Sequence, residues 1–60
     1  MYRYIYYPCD DGWRWKFVSP DGSKVMAYSG RAYDTETGVV TACRNMVKRH
    51  NGHNPVLKEV

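Results

Sequence analysis

The stretch Trp13-Arg14-Trp15-Lys16-Phe17-Val18, followed by Ser19-Pro20-Asp21-Gly22, decides how this chain folds. Three large aromatic side chains alternate with two cations, and that period of two is typical of a β-strand. The aromatic face therefore predicts the core, and the opposite face carries the cations. The next four residues have the composition of a type I turn with glycine in a left-handed position, so a third strand over residues 24–29 completes a hairpin.

A further aromatic strand is predicted upstream, at residues 2–7. Its three even-numbered tyrosines share one face, while the odd-numbered residues share the other: Arg3, Ile5 and Tyr7. Pro8 ends regular pairing, and Asp10-Asp11-Gly12 has the chemistry of a turn. This strand therefore precedes the hairpin and adds to the same sheet.

One helix is predicted over residues 35–50, with Asp34 as its N-cap. An apolar stripe at spacings of three and four marks its buried face: Val39, Val40, Cys43, Met46 and Val47. Asn51-Gly52 is a C-cap signal, and Pro55 prevents continuation of the helix. Apolar and polar side chains alternate weakly over residues 56–60, which is compatible with a short last strand.

These elements predict a single α+β domain over residues 1–60, in the order β-β-β-α-β. Its centre is a three-stranded antiparallel sheet packed by one helix, with a short C-terminal strand as an optional addition. The aromatic face of residues 13–17 is expected to pack against Val40, Cys43 and Val47. A domain this small buries only about 60% of its unfolded surface, so it usually needs additional stabilisation from a disulfide, a metal or a partner subunit.

Charge and composition indicate the kind of partner and the cellular compartment. The net charge is +3, and the cations are spread along the chain, which permits a polyanionic partner without requiring one. No secretory signal and no apolar run long enough to span a bilayer is found, so the expected localisation is cytoplasmic, without a membrane. Both cysteines are accordingly expected to be reduced.

Six segments occur in order: Trp13-Arg14-Trp15-Lys16-Phe17, Pro20-Asp21-Gly22, Val25-Met26-Ala27, Ser29-Gly30-Arg31-Ala32-Tyr33, the helix end Val47-Lys48-Arg49, and Pro55-Val56-Leu57-Lys58-Glu59-Val60. Together they resemble the YegP-like family of small bacterial proteins. Arg31 and Ala32 stand where that family tends to have Glu and Gly. The resemblance implies a three-stranded antiparallel sheet with a packed helix, and either tandem copies or a single copy that dimerises. It implies no known catalytic activity, since the family has no established biochemical function.

No residue pattern predicts a cofactor, metal or catalytic site. Four side chains could in principle bind zinc, but no two cysteines have the short spacing of structural zinc sites: Cys9, Cys43, His50 and His53. Cys43 and His50 are separated by about 10 Å along a helix, too far for a nucleophile and its base. The glycines are scattered and form no phosphate loop. The chain is therefore expected not to be an enzyme.

The sheet face opposite the helix is the predicted interaction surface. It combines apolar and basic side chains: Arg3, Ile5, Tyr7, Arg14, Lys16, Val18, Met26 and Tyr28. This is more apolar area than a small soluble monomer usually exposes, and a second copy would bury it. The leading hypothesis is a non-enzymatic binding or assembly module, a homodimer that contacts another protein, for example a host or phage component.

Single-stranded nucleic acid is the alternative partner. A basic sheet with exposed aromatic rings can stack unpaired bases and hold phosphates. Arg3, Arg14 and Lys16 would supply the charge, and Tyr7 and Tyr28 the rings. The simpler interpretation is that these cations only keep the outer face of the sheet solvated.

Overall fold

The computed structural model describes residues 1–59, which form one helix and a four-stranded sheet. The elements in chain order are β1 (Arg3–Cys9), β2 (Gly12–Val18), β3 (Val25–Tyr28), α1 (Glu36–Arg49) and β4 (Val56–Lys58). The strand order across the sheet is β3-β2-β1-β4. This arrangement confirms the α+β prediction, with its three antiparallel strands, one helix and short C-terminal strand. Of the predicted strand at residues 56–60, Val60 lies outside the described residues.

The C-terminal strand pairs within its own chain, parallel to β1. The Tyr4 backbone N–H donates to the Pro55 carbonyl, and the Glu59 N–H donates to the Tyr6 carbonyl, both at 2.9 Å. The Asn54 side-chain amide donates to the Tyr2 carbonyl at 2.7 Å. Parallel strands need a long crossover, which α1 supplies. The sheet is therefore mixed rather than purely antiparallel.

The turn between β2 and β3 has the predicted chemistry. The Gly22 N–H donates to the Ser19 carbonyl at 2.9 Å, and Gly22 adopts a φ of 75°. Asp21 Oδ1 accepts from the Ser19 hydroxyl and from both the backbone and the hydroxyl of Ser23. Hydrogen bonds to the charged form, that from Ser19 foremost, lower the pKa of Asp21 to about 2. The Asp21 carboxylate thus stabilises the turn through three hydrogen bonds.

The helix begins one residue later than predicted. Thr35, not Asp34, is the N-cap, and its Oγ1 accepts from the Gly38 N–H at 3.0 Å. At the other end Asn51 adopts a left-handed φ of 54°, and the Gly52 N–H donates to the Val47 carbonyl at 3.0 Å. That is the predicted C-cap in the form of a Schellman motif. No helix among residues 1–59 is both long and apolar enough to cross a membrane.

The core is centred on β1. Tyr4 is 7% exposed; its ring meets Trp15 edge-on and lies 4.6 Å from Phe17, centroid to centroid. From the helix, Val39 and Cys43 are fully buried. The predicted aromatic strand faces this core, but its three rings are only half-buried. The reason is that α1 lies over β2, β1 and β4 and, within the described residues, does not contact β3.

Candidate functional site

The strand register brings the predicted interaction surface together on one face of the sheet. Three of its cross-strand pairs lie between β1 and β2: Arg3 with Val18, Ile5 with Lys16, and Tyr7 with Arg14. Tyr28 of β3 continues the row beyond Lys16. On the other side Leu57 of β4 pairs with Ile5, and it is 44% exposed. Sequence reasoning missed Leu57, because only the pairing of β4 with β1 assigns it to this face.

A register shift between Phe17 and Val18 widens the surface at β3. Val25 pairs with Val18, and Ala27 pairs with Phe17, so Met26 is an extra residue in the ladder. Met26 is 55% exposed, and Val25 is exposed as well. The irregularity explains why strict alternation along the sequence could not assign Val25.

Val18 does not belong to the exposed surface, contrary to its inclusion in the predicted set. It is 3% exposed, although its register places it on the outer face. Arg3, its partner across the ladder, is half-buried, and the Arg3 Nε is buried with no hydrogen-bond partner among the described residues. This corner of the face is therefore already packed within one chain.

The two central cations of the face are paired with carboxylates of the same chain. Arg14 Nη2 donates to Asp11 Oδ2 at 2.7 Å, and Lys16 Nζ donates to Glu59 Oε1 at 2.8 Å. The bond to Glu59 raises the pKa of Lys16, and the bond from Arg14 lowers the pKa of Asp11. The Lys16 ammonium also lies 5.5 Å from the centroid of the Tyr7 ring. The face is thus close to electrically neutral at its centre.

Strand β3 is the most exposed strand among residues 1–59. All four of its residues are exposed, and Tyr28 is 64% exposed. Beneath β3 lies an apolar cleft of about 380 Å³, lined by Tyr4, Trp15, Phe17, Ala27, Met46, His50 and Asn54. The cleft exists because the helix is displaced from β3 towards β4. An uncovered edge strand and an unfilled apolar cleft therefore occur side by side.

The cysteines and histidines do not form a metal site in the described part of the chain. Among residues 1–59 no group of three or more His, Cys, Asp or Glu side chains is arranged to hold an ion. Cys43 is buried under the sheet, Cys9 is half-buried at the end of β1, and both are free thiols. Cys43 thus acts as a small apolar side chain of the core.

Thiol alkylation is expected to separate the two cysteines. Burial raises the pKa of Cys43 to about 11, so at about pH 8 its thiol is both protonated and inaccessible. Cys9 should be labelled in minutes and Cys43 only on unfolding, which timed iodoacetamide labelling read by mass spectrometry would show. Because the folded-state pKa is above the ordinary value of 9.0, stability should also fall as pH rises from about 9 through about 11. Equally fast labelling of both thiols in the native protein would contradict the core position of Cys43.

Comparisons with protein-family models, with curated proteins and with solved structures find no match for this chain. The resemblance to YegP-like proteins stays a prediction from the residues. The exposed β3 edge, the outer face of the sheet and the clefts are the features of the described residues that bear on function.

Proposed function

We propose that this protein is a non-enzymatic assembly module that works in the cytoplasm as a homodimer and contacts another protein through its remaining surface. The observation that carries the proposal is the uncovered β3 edge. All four residues of β3 are exposed, and one side of the strand has no neighbour among residues 1–59, so its backbone N–H and C=O groups there are open to another strand. The natural occupant is the β3 strand of a second copy.

The geometry of β3 suits a symmetric pair. The Ser29 N–H donates to the Trp15 carbonyl, so the alternation of an antiparallel ladder directs the backbone groups of Tyr28 away from β2. Two such edges related by a two-fold axis can pair antiparallel and continue one sheet into the other. Met26 and Tyr28 of both copies would then lie next to each other on the outer face. This pairing buries the most exposed apolar side chains of the sheet.

The energetics also favour a second copy. In a chain of 60 residues the apolar area term and the chain-entropy term nearly cancel, so an isolated copy has little stability to spare. The chain has no disulfide between its two cysteines. A subunit interface is another common way to stabilise a domain of this size. Both β3 and β4 are edge strands, but β3 is the better edge for it, because it is the longer of the two and all four of its residues are exposed.

The outer face gives less support to binding of single-stranded nucleic acid. Phosphate contacts need cations that are free to replace counterions. Arg14 and Lys16 already pair with Asp11 and Glu59, and Arg3 is half-buried. Tyr28 remains available for stacking, but the charge beside it is compensated. A protein partner therefore fits this surface better than a polyanion does.

Sedimentation equilibrium at tens of micromolar tests the homodimer. The wild type is expected to have about twice the 7.0 kDa mass of one chain. Tyr28→Lys should give the monomer mass, because it places two like charges close together at the proposed two-fold axis. The variant should still fold, since Tyr28 is largely exposed in one copy.

Leu57→Lys is the matched control, because Leu57 is an exposed apolar residue on the same face but at the opposite edge. It should leave the dimer intact. A wild-type monomer at this concentration would refute the homodimer. A dimer that Leu57→Lys dissociates and Tyr28→Lys does not would refute the assignment to β3.

A further inference from the structure

A second cleft lies between α1 and the segment that joins β3 to the helix. Its volume is about 430 Å³, within the range of small-molecule sites. The lining residues are Trp15, Arg31, Tyr33, Gly38, Thr41, Ala42, Asn45, Met46 and Arg49. This basic cleft is separate from the β3 edge, although its floor shares Trp15 and Met46 with the apolar cleft.

The local sequence explains why the cleft is open. The lining residues of α1 lie on one helical face at spacings of three and four, and those nearest its start are small: Gly38, Thr41 and Ala42. The opposite wall is held in place by Tyr33, whose N–H and carbonyl both bond to the Trp13 backbone, at 2.7 and 2.8 Å. The Ser29 hydroxyl donates to the Arg31 carbonyl at 2.9 Å. Hydrogen bonds to β2 and to Ser29 therefore hold the backbone of this wall in place.

The described lining of the basic cleft carries two positive charges. Arg31 and Arg49 are exposed members of its lining, and neither takes part in an ion pair among residues 1–59. No described carboxylate lines it, since Asp34 belongs to a neighbouring depression. The Arg31 guanidinium is held over the Tyr33 ring, with its Cζ 4.8 Å from the ring centroid. Two arginines line one cleft, and a guanidinium group can bind a phosphate through two hydrogen bonds.

The floor of the cleft is partly apolar. Ala42, Met46 and the Trp15 ring supply a surface on which a flat ring can pack. The Trp15 indole N–H is buried without a hydrogen-bond partner among the described residues, which is uncommon in a folded protein. Phosphate-binding side chains, polar Thr41 and Asn45 and an apolar floor thus meet in one place.

We infer that the basic cleft binds a small phosphate monoester attached to a flat ring, the chemistry of a nucleoside monophosphate. The phosphate lies between Arg31 and Arg49, and the ring packs over Trp15 and Met46. Thr41 and Asn45 are placed to hydrogen-bond the polar groups between them. This binding needs neither the homodimer nor a partner protein, so it stands independently of the proposed function.

An NMR titration of ¹⁵N-labelled protein with AMP tests the inference. The indole N–H signal of Trp15 should move saturably, while that of Trp13, which does not line the cleft, serves as the internal reference. Adenosine, which lacks the anion, should give no saturable change, and inorganic phosphate should bind more weakly than AMP. Arg31→Gln and Arg49→Gln should each raise the Kd for AMP about tenfold.

Arg44→Gln is the control, because Arg44 is an exposed cation of the same helix that does not line the cleft. It removes the same charge and should leave the Kd unchanged. Equal weakening by Arg44→Gln and Arg49→Gln would show unspecific charge attraction and overturn the inference. So would the absence of a saturable Trp15 shift at millimolar AMP, or an AMP affinity that neither cleft arginine affects.

Discussion

Tyr4→Ala is expected to abolish cooperative folding. Tyr4 lies on an inner strand, is almost completely buried, and contacts both Trp15 and Phe17. Removing a buried aromatic ring costs about 3–5 kcal/mol through lost transfer energy and the cavity left behind. Small domains have a total stability near the lower end of about 5–15 kcal/mol, so this loss is comparable with the whole. Urea denaturation followed by circular dichroism, at fixed protein concentration, measures it.

Tyr4→Phe is the control for that variant. It keeps the ring and removes only the hydroxyl, whose pKa is raised mainly by burial. The cost should stay below about 1.5 kcal/mol, the range of volume-conserving core changes. A Tyr4→Ala protein with a wild-type midpoint would show that the core is not centred on β1.

Gly12→Ala is expected to have the second-largest effect. Gly12 adopts a φ of 134°, which side-chain-bearing residues rarely occupy, and an added Cβ would clash with the Tyr33 carbonyl oxygen. Backbone strain of this kind costs about 1–3 kcal/mol before the clash is counted. The clash would also break the bridge between Trp13 and Tyr33. Thermal melting should therefore show a much lower Tm, and the basic cleft should lose its wall.

Gly30→Ala provides the comparison, because a Cβ there meets no atom within 4 Å and Gly30 has no positive φ. It should be neutral or stabilising by up to about 1 kcal/mol, since it restricts the unfolded chain. If Gly12→Ala and Gly30→Ala both have the wild-type Tm, the backbone of β2 does not approach Tyr33 as closely as the structure shows.

The helix ends and the hairpin turn are features that the local sequence largely predicts. Ser19, Asp21 and Gly22 form their turn from interactions within a few residues, so their chemistry is visible in the sequence. The C-cap at Asn51 is equally local. The N-cap differs by one residue because Asp34 and Thr35 are both competent caps, and propensity does not choose between neighbours.

The candidate sites depend on contacts between residues that are far apart in the sequence. Alternation along β2 predicts that Lys16 lies on the outer face, but its partner Glu59 is 43 residues away and reaches it only because β4 pairs with β1. Alternation also predicts the face of Val18 correctly, but Val18 is buried, because alternation does not show which other side chains cover that face. Arg31 and Arg49 lie on different elements, and no spacing in the sequence relates them.

Three β-strands, their turns and one amphipathic helix could be predicted from the amino-acid sequence. Each depends on the period of side chains within one segment, and a period can be counted along the chain. Tertiary structure alone decided that β4 joins β1 in parallel and that α1 lies towards β4. That displacement leaves the β3 edge exposed and opens the apolar cleft beneath it. The basic cleft depends on the position of Arg31 relative to α1. The physical reason is that helix placement follows the packing of whole faces against each other, which involves residues far apart in the chain.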